Sequence, residues 1–386
     1  MLFKSSNENQ RLKTFPVGVL IRTVADSKGR GKMLTEKEKR REAALKAWRT
    51  IRKKEAETIA KSSRRIPDFF PPRIIASITH PEAIVKEPIR KPLRTEYGQG
   101  IVKLFAKTPP DIACGPFWEL RWAFGCPFDC SYCYLRGTKK GNMKPSYVKL
   151  HYILNALDEV FNDSHFNGGK PALFNSGELS DSLMNPPLMS EIVDKFGEQR
   201  KHRIVLLSKA GTNNIKFLLN KPDHVKKQVV CTWSINAVEV AKIWEKAAAP
   251  PEQRIQAAKM VYEAGYEVRI RIDPIFPIED WETHYEDILY RIMSEVEPAK
   301  IILGTPRGLK KTIYYAKKAG VDMGWAKFFK EDTGWGKKLP SELRRRIYEY
   351  MLDKLSALGY SDDKVSICKE TVVMLEKLGV PYRRGT

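Results

Sequence analysis

Between residues 117 and 305, short apolar runs alternate with amphipathic ones, and that alternation limits what the chain can fold into. The strand-like runs are 117–124, PALFNS (171–176), RIVLLSK (203–209), VVCTWSI (229–235), YEVRIRIDPI (266–275) and KIILGT (300–305). Helix-like runs lie between them, near 146–161, 187–198, 212–220, 251–264 and 282–296. Strands separated by helices pair in parallel, because the helix is the crossover that a parallel pair requires. Six such units suit an α/β fold, either an incomplete TIM-like (β/α)6 barrel or an open doubly wound sheet. Residues 306–386 read as mostly helical, with LPSELRRRIYEYMLDKLSALG as the clearest helix, and no solenoid-type repeat is present. The expected organisation is therefore a basic N-terminal extension (1–100), a partial barrel (101–310) and a helical C-terminal segment (311–386).

Charge sets the next constraint. The chain carries 68 Lys and Arg against 46 Asp and Glu, a formal net charge of +22. The first 100 residues alone hold 24 basic and 11 acidic side chains. An excess concentrated in this way favours a polyanionic partner, above all nucleic acid, although a solvated basic face would look the same. Within the extension, Thr35 to Glu38 has the form of a capping box. The stretch to about Arg65 then reads as a charged helix with Ala44, Trp48, Ile51 and Ile59 on one stripe. Residues 66–96 are rich in Pro and Arg and read as an extended arm. No apolar run approaches the roughly 18 residues of a membrane span, and no small-residue cleavage site follows the N-terminal apolar stretch. A cytoplasmic protein without membrane contact is expected.

Six cysteines are present, and three fall within eight positions, in Gly125-Cys126-Pro127-Phe128-Asp129-Cys130-Ser131-Tyr132-Cys133-Tyr134-Leu135. Clustering of this kind points to a metal or cluster site in a reducing compartment rather than to a disulfide scaffold. Three thiolates on one loop, spaced C-x3-C-x2-C, can hold three irons of a [4Fe–4S] cluster and leave the fourth iron open. Electron-transfer clusters are normally ligated by four Cys. The amine and carboxylate of S-adenosylmethionine can chelate the open iron, and electron transfer then releases a deoxyadenosyl radical. The competing assignment is a structural zinc with Cys114 as fourth ligand. It lacks the paired C-x2-C spacing and suitably placed His residues.

C-x3-C-x2-C with an aromatic residue before the third Cys resembles the signature of the radical S-adenosylmethionine superfamily. The context GCPFDCSYCYL resembles its spore photoproduct lyase branch. FNSGELSDSL (174–183), LLSKAG (206–211), WSIN (233–236) and RIDPI (271–275) follow in order, with a weaker echo at SICKE (366–370). The resemblance covers about residues 112–306. It implies that Cys126, Cys130 and Cys133 ligate the cluster and that Tyr132 lies beside the adenosine. It implies cofactor contacts from Gly177, Glu178, Ser180, Lys209 and Ser234. Plainer uses exist for three of these: helix capping for Glu178 and Ser234, and a phosphate contact for Lys209.

Arg269, Arg271 and Asp273 alternate along one strand and so share a face, which suits a polar ligand or an internal salt bridge. Arg271 is the cofactor candidate among them. Gly304-Thr305-Pro306-Arg307 ends the sixth strand, where it could close on adenine or simply turn. The branch returns a hydrogen atom to its product radical from a Cys in the second-strand segment, and here Glu178 holds that position. Cys231 has the opposite parity to Ser234 and should face the helix layer. That leaves Cys368, in a segment that could fold over the barrel mouth, and Tyr134 as candidate catalytic residues.

Three functions compete. The first is a radical enzyme acting on a pyrimidine in DNA, ahead of RNA, by lesion repair or base modification, and fed by a reducing donor such as flavodoxin or ferredoxin. The second is a radical enzyme on a protein or small molecule. The third is a non-catalytic, zinc-stabilised nucleic-acid-binding protein. If the N-terminal charge serves the first, deleting residues 1–65 should weaken DNA binding and flatten its salt dependence more than it slows cofactor cleavage. Unchanged affinity in a filter-binding titration would reduce that charge to a solubility device.

Overall fold

The computed structural model describes residues 94–382 and, before them, only the antiparallel pair Val24–Ala25 with Gly31–Lys32. The charged helix expected over 35–65 and the Pro/Arg arm up to residue 93 lie outside the described residues. Contacts divide the chain into Met1–Pro81 and Glu82–Thr386.

A nine-stranded sheet organises the second unit. In chain order its strands are β1 (Glu96–Tyr97), β2 (Val102–Phe105), β3 (Phe117–Leu120), β4 (Leu173–Asn175), β5 (Arg203–Ser208), β6 (Val229–Ser234), β7 (Glu267–Ile272), β8 (Lys300–Leu303) and β9 (Val365–Ile367), and each pairs with the next. β1, β2 and β3 pair antiparallel. From β3 to β9 every pairing is parallel. All six expected parallel strands are present.

The C-terminal segment is more than helical. It contributes the seventh parallel strand, β9, and a hairpin of Glu331–Thr333 with Gly336–Lys338. Immediately after β9, Glu370–Thr371 pairs antiparallel with Ile112–Ala113, just before β3. The two ends of the parallel array are thereby joined through their flanking segments, and the sheet is a partial barrel rather than an open one.

The helices relevant to the site are α1 (Leu135–Thr138), α2 (Leu150–Asn162), α3 (Pro186–Gly197), α4 (Val238–Trp244), α5 (Pro251–Glu263), α6 (Trp281–Glu295), α7 (Lys310–Lys318) and α8 (Ser341–Ala357). Their starts follow local chemistry. The Asn185 side chain accepts from Leu188 N at 3.2 Å ahead of two prolines that open α3, and Pro251 opens α5.

Strand periodicity separates core from lumen. In β7, Val268, Ile270 and Ile272 are buried towards the helices, whereas Glu267, Arg269 and Arg271 point the other way. Parallel register carries the same parity outward: Ser234 pairs with Arg271, Arg271 with Ile302, and Ile302 with Ser366. Cys231 falls on the apolar face, in the cluster that includes Leu206, Val268 and Leu289. Each fully buried Ile or Leu there contributes roughly 1.5–3 kcal/mol.

Glu370 locks the C-terminal segment to the barrel. Its carboxylate is fully buried and accepts from Tyr348 Oη at 2.9 Å, Lys338 Nζ at 3.4 Å and Thr371 N at 2.6 Å, with Arg344 Nε at 3.6 Å. Burial drives the Lys338 ammonium down to about 8, against the pull of Glu370. Glu370→Ala would leave two cations buried without their anion and should cost about 3–5 kcal/mol in a denaturant melt. Lys338→Met should cost less, because Arg344 and Tyr348 remain with Glu370. Equal losses in the two variants would contradict this assignment.

Candidate active site

The Cys loop leaves the C-terminal end of β3 and is tied down on several sides. Trp122, fully buried, donates from Nε1 to Ser176 O at 2.8 Å. Gly125 sits at φ 87°, and a Cβ there would lie 2.6 Å from Lys144 O, so glycine is required twice over. Backbone bonds run from Gly125 N to Leu179 O at 2.9 Å, Cys126 N to Met143 O at 2.9 Å and Ser131 N to Trp244 O at 2.8 Å. From α1 the Arg136 side chain, 2% exposed, donates to Cys130 O at 3.2 Å and to Asp129 O and Oδ1 at 2.9 and 2.8 Å.

Cys130 is buried, and Cys126 and Cys133 are half-buried. Burial pushes all three thiols up. An iron cluster would reverse that, since a bound cation deprotonates its thiol ligands. The donor set fits such a cluster: soft sulfur ligands on one rigid loop. It does not fit the single-zinc alternative. Cys114 stands apart, with Cys368, Lys369, Glu178 and Arg271 as its charged surroundings.

Two charged groups line the lumen at the C-terminal ends of the strands. The first is built around Glu245, just past α4. Its carboxylate meets Arg254 NH1 at 2.6 Å, with both side chains fully buried, and Lys209 Nζ at 3.2 Å. Lys209 Nζ also donates to Ser234 Oγ at 2.6 Å, and Tyr132 Oη donates to Glu245 Oε1. Although burial opposes it, Arg254 and Lys209 hold the Glu245 carboxyl down at about 2. Tyr132, Lys209 and Ser234 are thus brought together. Glu245 and Arg254, which join them, were not legible in the sequence.

The second group is built around the end of β9. Lys369 Nζ meets Glu178 Oε1 at 3.0 Å and lies 5.0, 5.6 and 5.9 Å from the ring centroids of Trp335, Phe105 and Tyr134. Tyr134 Oη donates to Glu178 O. Arg271 donates to Cys368 Sγ and pairs with Asp273 at 3.3 Å, and Arg307 spans both Asp273 oxygens at 3.0 Å. Glu178, Tyr134, Arg271 and Cys368 therefore surround one region, and Lys369, Asp273 and Arg307 complete it. Cys368 shares the lumen parity of Ser366, so the strand itself aims it inward.

Between the groups lies the turn after β4. A Cβ on Gly177 would come within 2.7 Å of Leu207 Cβ, so glycine lets this turn pack against β5. Ser180, buried, donates to Ser176 O at 3.3 Å. Asp181 accepts from Ser208 Oγ and Lys209 N, both at 2.8 Å, and so ties the turn to the end of β5.

The family model "Spore photoproduct lyase" matches residues 116–302. The spore photoproduct lyase of Clostridium acetobutylicum is 25% identical over 179 residues, covering 45% of this chain and 50% of that one. The chain therefore spans about half the length of the curated lyases that it matches. Among solved structures, spore photoproduct lyase complexed with dinucleoside spore photoproduct superposes with a TM-score of 0.55 at 18% identity, over 72% of this chain and 80% of that one. A double mutant of the lyase with bound AdoMet and dinucleoside spore photoproduct gives 0.54, with the same identity and coverage. The match spans the segment that carries the three cysteines, the turn after β4 and the lumen ends of β5 to β7. Over residues 116–302, then, the chain is similar to the spore photoproduct lyases, and its partial barrel resembles theirs.

Proposed function

We propose that this chain is a radical S-adenosylmethionine enzyme acting on a pyrimidine base in DNA, by photoproduct-lyase-like repair or base modification. The observation that carries the proposal is the clamped Cys126–Cys130–Cys133 loop, set at the mouth of a parallel barrel whose strand ends carry Lys209, Ser234 and Glu178. Support for the substrate comes from the matched lyases and from the basic chain. A base inside a duplex has to be extruded to reach such a lumen.

In this reading Cys126, Cys130 and Cys133 hold a [4Fe–4S] cluster. Tyr132, Gly177, Glu178, Ser180, Lys209, Ser234 and Arg271 hold S-adenosylmethionine. When bound, the two together supply a deoxyadenosyl radical that abstracts hydrogen from the substrate. The protein side of the chemistry is positioning and polarity. Lys209, neutralised in part by Glu245, presents an ammonium to the ligand's carboxylate. Gly177 lets the turn after β4 pack directly against Leu207 of β5, which sets the height of that turn at the lumen. Aromatic and ion-paired side chains line the lumen, among them Tyr132, Tyr134 and the Lys369–Glu178 pair, and leave few polar groups free to hold water there.

Hydrogen return falls to Cys368. Glu178 occupies the position of the branch's donor thiol, and a carboxylate has no comparably weak bond to hydrogen. Cys368 points into the lumen beside Arg271, and Tyr134 lies across the Glu178–Lys369 pair as a relay candidate.

The test is anaerobic turnover of the reconstituted protein with DNA deuterated at candidate base positions. Deuterium should appear in 5′-deoxyadenosine. Cys130→Ala should abolish both the brown chromophore and cofactor cleavage. Cys368→Ala should leave cofactor cleavage within about threefold while base product falls about tenfold or more, because only the return step is lost. No deuterium transfer from any nucleic acid tried would overturn the DNA assignment, and undiminished product from Cys368→Ala would remove that thiol from the pathway.

A further inference from the structure

The proposed cluster has to receive an electron from outside, and the outer wall of its loop has the properties of a docking face. α7 is locked onto that loop. Thr312 Oγ1 donates to Tyr134 O at 3.4 Å, and a Cβ on Gly137 would lie 2.8 Å from Thr312 N. The buried side of α7 is Thr312 and Ala316, while Lys310, Lys311, Tyr314, Lys317 and Lys318 are exposed.

Beside them, Lys140 and Lys144 are exposed on the segment following α1. No Asp or Glu occurs between Arg136 and Lys149, or between Arg307 and Val321. Of the acids bordering the patch, Asp129 lines the cavity described next but is paired there with Arg136 at 2.8 Å, and Asp322 accepts from Trp244 Nε1 and Gly324 N, both at 2.8 Å. At 61% exposure, Tyr314 stands amid the lysines as an aromatic anchor of the type found in protein interfaces.

A surface cavity of about 400 Å³ opens within this patch, lined by Cys126, Pro127, Gly141, Lys144, Ala319 and Val321 among others. One of the proposed cluster ligands is therefore reached directly from the lysine surface. Lys209, Ser234, Glu178 and Arg271 do not line the cavity, so it approaches the loop from the side away from the lumen. A substrate base has to enter the lumen. A partner that delivers only an electron has to approach the loop, and it can do so here without obstructing the substrate.

We infer that α7 and the 139–145 segment form the docking surface for a small acidic electron-transfer protein carrying a flavin or an iron–sulfur cluster. The inference rests on the cluster assignment above. The partner's reduced cofactor loses one electron and the cluster gains it. No bond is made or broken in the transfer. Positive charge around the cavity steers an acidic partner, and Tyr314 supplies desolvated contact once it has docked.

The test uses reconstituted full-length protein, with flavodoxin hydroquinone as the probe and photoreduced deazaflavin as a small neutral reductant. The readout is the donor's own oxidation in stopped flow, followed by its absorbance. Lys140→Glu/Lys144→Glu/Lys311→Glu/Lys318→Glu should lower the second-order rate with flavodoxin at least about tenfold and abolish its salt dependence, leaving deazaflavin reduction within about twofold. The same four positions changed to Gln should give an intermediate rate, which separates lost attraction from a folding defect. An unchanged flavodoxin rate would overturn the inference. So would a variant that loses DNA affinity while keeping the flavodoxin rate, since the patch would then serve nucleic acid. If deazaflavin fails to reduce even the unmodified protein, the cluster assignment itself falls, and the docking face falls with it.

Discussion

The charged lumen depends on one buried carboxylate. Glu245 is held by Arg254 and Lys209 in a space where neither charge reaches solvent freely. Desolvating such ions costs several kcal/mol each, and only close mutual pairing offsets that cost. The arrangement therefore holds only if four pieces of chain arrive together: Lys209 after β5, Ser234 at the end of β6, Arg254 from α5, and Tyr132 from the Cys loop. Fixing Glu245 fixes the distance between the cysteine loop and two strand ends. The proposed radical chemistry would depend on that distance, because binding geometry, rather than side-chain acid–base chemistry, would direct it.

A second constraint comes from the C-terminus. Three residues of β9 bring Cys368 and Lys369 to the lumen, and Glu370 pins the strand from behind through Lys338, Arg344 and Tyr348. Lys369 takes a left-handed backbone conformation, φ 51°, between these two anchors. That turn lets Lys369 reach Glu178 while Glu370 points the other way, into the network with α8. Adjacent residues thus serve the lumen and the packing behind it. The segment 311–386 belongs to the working barrel as much as to its cover.

The sequence made the six-strand core legible because each strand is a continuous or alternating apolar run bounded by turn residues, as in VVCTWSI and YEVRIRIDPI. β9 escaped notice because three residues, Val365–Ile367, give no period to read, and their partner lies over 60 positions away. The same reason hides the ionic partners. Glu245 sits in an unremarkable WEKAAAP stretch, Arg254 in the middle of a helix, and Lys369 beyond the last obvious helix. Local pattern reports which face a side chain takes. It does not report which distant charge it meets. Asp181 was nearer to legible: Ser-Asp follows the second strand, and an Asp at a strand end readily accepts backbone N–H groups, as this one does from Leu183 and Lys209.

The departure at Glu178 gains meaning from these contacts. Burial alone would neutralise the Glu178 carboxylate, yet Lys369 and Arg271 hold it below the usual carboxylate range. The cation that stabilises it and the thiol proposed to take over hydrogen return are consecutive residues, Cys368 and Lys369. Without Lys369 the buried Glu178 carboxylate would lose the ammonium 3.0 Å away, and without Cys368 the proposed hydrogen return would lose its thiol beside Arg271. One short segment after β9 therefore sets both the ammonium at Glu178 and the thiol at Arg271, so the two lumen groups share one backbone support.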